Sequence, residues 1–298
     1  MFTLAHLSDP HLAPLPPARL LELGGKRLTG WLNWKRKRHL VHDRATLKAL
    51  LADLQAQASD HIAVTGDIAN IGLPAEYARG REWLASLGPA RDVSFIPGNH
   101  DIYVAGCAEM AAREWGAHMR GDDIADSLGD SFPYARRRGP LALIGVSSGV
   151  VTAPFMATGE IGPAQLQRLA ALLDMLKGEK LLRVVMIHHP PVSLAAHHKR
   201  LIDAGALKAV IASHGAELLL HGHDHRAMLN WLDGPDGARV PAIGVPSASA
   251  KPGMDHEPAG YNLYRIDGVA GAWRCEMVSR GMSLDGKVTE RTHATLFG

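Results

Sequence analysis

Short apolar runs alternate with longer stretches of helical periodicity along most of the chain. Residues 2–7 (FTLAHL) form the first apolar run and predict a strand. Residues 43–58 place Leu47, Leu50, Leu51 and Leu54 on one face and predict a helix capped by Asp43. Further strands are predicted at 61–65, 92–96, 141–147, 181–187 and 216–220. Between them fall helices at 74–87 and 163–177, opened by Pro74 and Pro163, and at 106–118 and 200–213. After residue 226 the helical period disappears, and 227–232, 240–245, 261–267 and 272–279 read as strands separated by turns. Strands alternating with helices argue for an α/β sheet covered by helices, and the strand-rich last quarter argues for a second, more antiparallel sheet. No repeat or linker breaks the pattern, so 1–298 is expected to form one domain.

The residues directly after five of the strands change the picture. After 2–7 comes Ser8-Asp9-Pro10-His11, and after 61–65 comes Gly66-Asp67-Ile68-Ala69-Asn70. After 92–96 comes Pro97-Gly98-Asn99-His100-Asp101, and after 181–187 comes His188-His189-Pro190-Pro191. After 216–220 comes His221-Gly222-His223-Asp224-His225. Open α/β sheets place their sites at the carboxyl ends of strands, so the five ends can converge on one spot. Imidazoles mixed with carboxylates and an amide suit divalent Mn, Fe, Zn or Co, whereas Ca or Mg sites are richer in oxygen. The ligand-type residues exceed what one tetrahedral ion needs, and two ions sharing a bridging carboxylate account for the surplus. Each motif alone also fits a polar turn or a helix cap; their conjunction after five strands is what points to metal chemistry.

Composition adds limits. The chain has two cysteines, Cys107 and Cys275, too few for a disulfide framework or a zinc knuckle. Free thiols fit a reducing compartment, so a cytoplasmic location is expected. The start, MFTLAHLSDPH, does not resemble a signal peptide, and no run approaches the 18 apolar residues of a membrane span. A net charge of +2 gives no sign of a nucleic-acid partner, and none is expected. Of the 17 histidines, a cluster runs from His188 to His225.

Asp-x-His at 9–11, Gly-Asp at 66–67, Gly-Asn-His-Asp at 98–101, His188 after its strand and Gly-His-x-His at 222–225 occur in that order. Together they resemble the signature of the calcineurin-like metallophosphoesterase superfamily. The stretch TGDIANIGLPAEYARGREWLASLG (65–88) further resembles the bacterial branch of cyclic-nucleotide and glycerophosphodiester phosphodiesterases. The resemblance implies a four-layer α/β/β/α sandwich of two mixed β-sheets, with the site at the carboxyl ends of the strands. It implies one ion held by Asp9, His11, Asp67 and His225, and another by Asp67, Asn99, His188 and His223. His188 rather than His189 is the implied ligand. His100 would lie over the ions as an imidazolium without binding them, and Asp101 would orient it by a hydrogen bond. Asn70 would support Asp67, while His189 and His221 would stand behind the ligands or face substrate. The implied activity is hydrolysis of a small phosphodiester, such as a cyclic nucleotide, by a hydroxide bridging the two ions.

Residues 20–44 (LLELGGKRLTGWLNWKRKRHLVHDR) carry Lys26, Arg27, Lys35, Arg36, Lys37, Arg38 and Arg44 against two acids, with Leu28, Trp31, Leu32 and Trp34 among them. Three readings stay open: a connection whose tryptophans pack on the core, a lid whose cations attract a phosphate, or an interfacial segment facing anionic lipid. The last would place the protein at the inner face of a membrane. It would suit a lipid-linked pyrophosphate or other phosphohydrolase substrate, the main alternative to a small diester. A non-catalytic scaffold of the same fold is the remaining alternative, and the filled ligand positions argue against it. Arg136-Arg137-Arg138 is expected to be a solvated turn before strand 141–147, and the loop 196–200 to line the rim of the site. The oligomeric state is left open by the sequence.

Overall fold

The computed structural model describes residues 1–122 and 132–298. In chain order its strands are β1 (Phe2–Leu7), β2 (His61–Val64), β3 (Val93–Phe95), β4 (Tyr134–Arg138), β5 (Leu141–Gly145) and β6 (Leu182–Met186), then β7 (Leu218–His221), β8 (Met228–Asp233), β9 (Arg239–Gly244), β10 (Gly260–Val269), β11 (Ala272–Met282) and β12 (Val288–Phe297). The helices are α1 (Lys26–Asn33), α2 (His39–Val41), α3 (Arg44–Ala56), α4 (Pro74–Leu87), α5 (Cys107–Trp115), α6 (Pro163–Gly178) and α7 (Ala204–His214). One sheet has the order β12-β11-β10-β1-β2-β3 and the other β4-β5-β6-β7-β9-β8. Both are mixed: β1, β2 and β3 run parallel beside antiparallel β10, β11 and β12, and β5, β6, β7 and β9 run parallel between antiparallel edges β4 and β8.

The side-chain alternation of β5, β6 and β7 defines the layers. Leu141, Leu143, Leu182, Val184, Leu218 and Leu220 join an apolar cluster with Leu4, Val64 and Phe95 of the first sheet. Their neighbours Ala142, Ile144, Val185 and Leu219 join a second cluster with Leu169 and Leu173 of α6 and Leu207 and Ile211 of α7. Because successive strand residues face opposite sides, the second sheet packs on the first with one face and under α6 and α7 with the other. Leu47, Leu50 and Leu54 of α3 and Trp83 and Leu84 of α4 cover the first sheet from outside. This is the expected four-layer sandwich. Asp43 caps α3, its carboxylate accepting from Thr46 N–H at 2.7 Å.

Three elements differ from the sequence expectation. Residues 136–138 belong to β4 and are no solvated turn: Arg136 is buried and donates to the carbonyls of Arg120, Ala90, Val93 and Ala117 at 2.7–2.8 Å. A run of arginines mimics a solvated stretch, but here one guanidinium satisfies loop carbonyls that would otherwise be buried without donors. Strand β12 is an edge whose residues are mostly exposed, so it lacks the alternation that marks a half-buried strand. The basic stretch 20–44 is helical, forming α1, an irregular helical turn at Trp34–Arg38, and α2.

His61, inside β2, gives a prediction for stability. Its Nε2 pairs with Ser94 Oγ at 2.8 Å and its Nδ1 has no partner. Burial, with Arg138 and Arg136 nearby, pushes its pKa down to about 3. The folded state therefore resists protonating it while the unfolded chain does so near pH 6.5, and stability is lost as pH falls through that window toward 3. Between pH 6.5 and 5 this one ring accounts for up to roughly 2 kcal/mol. Urea unfolding at the two pH values should show His61→Gln losing that much less than the wild type; parallel losses would refute the assignment.

Candidate metal centre

The carboxyl ends of β1, β2 and β3 meet those of β6, β7 and β9 at one rim, joined by a parallel bridge between Ser8 and Ser247. Pairing continues past the strands: Asp9 N–H donates to Gly66 O at 2.9 Å, His11 N–H to Asp67 O at 3.0 Å, and Gly222 N–H to His188 O at 3.1 Å. Left-handed φ is unusual away from glycine, yet Asp9 (53°), His11 (35°), Asp67 (59°), His223 (70°) and His225 (53°) all adopt it. Such strain persists only where the surroundings overdetermine it, and it gathers at functional sites. Gly222 is required by crowding, since a Cβ there would collide with Ser8 Oγ and Asp9 Oδ2. The imidazoles of His223 and His225 rise from a backbone pressed against the end of β1.

Two sets of atoms face each other across Asp67. On one side His225 Nε2 lies 3.0 Å from Asp9 Oδ1 and 3.3 Å from His11 Nε2. On the other, Asn99 Oδ1 lies 2.9 Å from His223 Nδ1 and 3.2 Å from His188 Nε2. Asp67 Oδ2 stands between, 3.8 Å from His11 Nε2 and 3.4 Å from His188 Nε2. Its Oδ1 accepts from His100 N–H at 2.8 Å, and Asp9 Oδ2 accepts from His223 N–H at 3.1 Å. Each carboxylate thus has one oxygen held by backbone and one left for the centre.

The donor set fits metal ions. His11 Nδ1 faces Ala69 O at 3.1 Å, His188 Nδ1 faces Thr65 O at 2.6 Å, and His223 Nε2 faces Lys199 O at 2.7 Å. A carbonyl only accepts, so these rear nitrogens carry the protons and the front nitrogens present lone pairs, the tautomer that metal-binding histidines use. Lone pairs 3.3 Å apart, as between His188 and His223, call for a shared cation. The charges agree. Burial opposes ionisation of Asp67, but His188 and His100 draw its pKa down to about 2, and His225 holds Asp9 lower still. Burial would neutralise His188, yet Asp67 lifts it to about 10, a pull for positive charge at its front nitrogen that a metal ion would satisfy in place of a proton. The carboxylates demand positive charge between them.

Several expected contacts are replaced by others. Asp101 does not orient His100. Its carboxylate accepts from the N–H groups of Asp67, Gly98 and Ala69 at 2.7, 2.9 and 2.9 Å, fixing the two loops that carry Asp67 and Asn99. Burial and the Asp67 charge push Asp101 up to about 8. Asn70 does not support Asp67 either: its side-chain amide donates to Leu12 O at 3.3 Å, while its main-chain carbonyl pairs with His100 Nδ1 at 2.5 Å. His189 does stand behind the predicted ligands, its ring 5.0 Å from His188 and 4.3 Å from His223 between centroids, with its nitrogens on Ser148 Oγ at 2.8 Å and Ala157 O at 3.2 Å. His221 is fully buried, with Nδ1 3.3 Å from Gly222 O and no partner for Nε2. Lys199, in the loop expected at the rim, lends its carbonyl to His223.

Sequence reasoning missed two residues here. Arg38 Nη1 lies 2.7 Å from His100 Nε2, and His42 packs 4.4 Å, centroid to centroid, from His11. Burial and the Arg38 charge push His100 down to about 3, so it is a neutral ring and no imidazolium in this arrangement. The segment from α1 to α2 therefore roofs the centre. Lys26 Nζ donates to Thr152 Oγ1 at 2.6 Å, Arg27 to Gly72 O at 2.5 Å, and Trp34 is buried. The only signal in the sequence was the excess of cations, which does not single out Arg38, and one histidine in a basic run looks like any other.

Residues 2–227 match the family model described as calcineurin-like phosphoesterase. A probable cyclic nucleotide phosphodiesterase of Synechococcus sp. is 26% identical over 234 residues, 77% of this chain and 80% of that protein. Among solved structures, a dimetal phosphatase from Danio rerio superposes with a TM-score of 0.64 at 16% identity, covering 99% of this chain and 98% of that one. A purple acid phosphatase from yellow lupin (Lupinus luteus) gives a TM-score of 0.57 at 13% identity, covering 99% of this chain and 53% of that one. At such identities the structural likenesses speak for the fold.

Proposed function

The chain belongs to the calcineurin-like phosphoesterase family and is a metal-dependent phosphoric ester hydrolase, and from that premise we propose that it cleaves a small phosphodiester of the cyclic-nucleotide kind at a dinuclear centre. The observation that carries this reading is Asp67 Oδ2, set between the His11 and His188 nitrogens. Asp9, His11, Asp67 and His225 would hold one ion, and Asp67, Asn99, His188 and His223 the other, drawn from Mn, Fe, Zn or Co. When bound, such a pair supplies Lewis acidity and an acidified water. The choice of a diester is supported by the name of the Synechococcus relative.

The chain's own groups handle the anion and the proton. Arg38 offers a forked, permanently charged donor suited to phosphoryl oxygens. As it turns from His100 to a bound anion, the imidazole exchanges a cationic neighbour for an anionic one and gains proton affinity. His100 Nε2 can then hold the proton that the leaving alkoxide needs, while Nδ1–H stays on Asn70 O. A panel on the Mn-loaded protein tests this reading: bis-p-nitrophenyl phosphate and cyclic AMP should turn over faster than p-nitrophenyl phosphate. A preference for the monoester would overturn it.

A second reading concerns where substrate is met. The roof's outer side exposes Leu20 (89%), Leu21 (99%), Leu28, Leu32 and Leu40, with Lys35, Arg36 and Lys37 exposed beside them. Beneath runs a cleft of about 500 Å³ lined by Pro14, Leu15, Pro16, Trp31 and Trp34. Apolar side chains flanked by cations match an anionic bilayer surface and favour a lipid-linked phosphoester as the alternative substrate. No helix among the described residues is long and apolar enough to cross a membrane. Co-sedimentation with phosphatidylserine vesicles at low salt should capture the protein, and Leu21→Asp with Lys35→Glu should release it; no capture would remove this reading.

A further inference from the structure

His42 stands at the inner end of the roof, buried, beside the set of atoms contributed by Asp9, His11 and His225. One ring nitrogen each of His11, His42 and His225 lies within 4.8 Å of the others. The His42 ring centroid is 4.4 Å from that of His11 and 5.9 Å from that of His225. Its backbone is fixed: His42 bridges to Ala250, Asp43 N–H donates to Ser249 O at 2.9 Å, and Lys251 N–H donates to Val41 O at 2.8 Å. Its side chain is fixed as well. Nδ1 pairs with Ser249 Oγ at 2.9 Å, and the Trp34 ring lies parallel to it, at 7° and 6.3 Å between centroids. With Ser249 Oγ accepting from Nδ1–H, the other ring nitrogen presents a lone pair beside the donor atoms of the centre, as the front nitrogens of His11 and His188 do.

We propose that His42 is a further ligand of the ion assigned to Asp9, His11, Asp67 and His225. The inference rests on the dinuclear reading and deepens it. Its consequence is that the roof and this ion stabilise each other: the ion holds the inner end of the 26–42 segment in place, and the seated segment completes the ion's coordination. Substrate oxygens then have freer access to the other ion, near Asn99, His188 and His223.

The test is equilibrium Mn²⁺ binding by calorimetry to the full-length, metal-stripped chain, compared with His42→Ala and Ser249→Ala, alongside the visible absorption of the Co²⁺-loaded forms. The wild type should bind two ions. His42→Ala should weaken one of them by about 10–100-fold and leave the other within about twofold. Its cobalt absorption should intensify as the coordination number falls, and added imidazole should reverse both changes. Ser249→Ala, which keeps the ring but removes its anchor, should weaken the same ion severalfold and answers the question if His42→Ala fails to fold. Two ions bound with wild-type affinities and an unchanged cobalt spectrum would overturn the His42 assignment alone. Fewer than two ions in the wild type would instead contradict the dinuclear reading beneath it.

Discussion

Asp67→Asn is expected to bind at most one ion and to lower turnover by at least ~10³-fold, because a bridging carboxylate supports several kcal/mol of transition-state stabilisation through both ions. Asparagine matches aspartate in shape and tolerates the left-handed backbone that residue 67 adopts at φ 59°. The backbone donors to Asp101 also remain, since they come from main-chain N–H groups. Loss of metal with a melting temperature equal to that of the metal-stripped wild type would therefore report the missing charge rather than a damaged fold. Elemental analysis of the purified variant reads the metal content directly. Two ions retained at full turnover would remove Asp67 from the bridging role.

His100→Ala is expected to do the opposite to the metals: both stay, and kcat falls about 10²–10⁴-fold, the usual range for a lost proton-transfer group. The structure explains the separation. His100 Nδ1 faces Asn70 O and Nε2 faces Arg38, so neither nitrogen is available to the ligand set. Its backbone N–H does hold Asp67 Oδ1 at 2.8 Å, and alanine keeps that bond. The loss should be smallest for substrates with acidic leaving groups, such as p-nitrophenol, which depart without a proton. Unchanged turnover on cyclic AMP with full metal content would sink the role.

The convergence of Asp9, His11, Asp67, Asn99, His188, His223 and His225 on one spot was legible in the sequence because chemistry-bearing residues stood directly after apolar strands, and parallel strands deliver their carboxyl ends to one rim. The sandwich was legible for a related reason: β5, β6 and β7 are near-continuous apolar runs, as strands buried on both faces are. Asp101 shows where such reasoning stops. Its motif put it next to His100 in sequence, but its partners are backbone amides of loops whose approach depends on the pairing of β2 with β3. Arg136 and β12 escaped for a different cause. A buried arginine satisfying carbonyls and a polar edge strand both look like solvated chain when only side-chain polarity is read. The roof was visible as an excess of cations and tryptophans, yet placing Arg38 on His100 and His42 beside His11 needed the path of α1 and α2 across the site.

The most direct test of the account is a titration of the metal-stripped chain with Mn²⁺ while hydrolysis of bis-p-nitrophenyl phosphate is monitored. Activity should be absent without metal, rise with added ion and level off at two equivalents per chain. Hydrolysis by the stripped protein, or saturation at a single equivalent, would contradict a dinuclear phosphodiesterase.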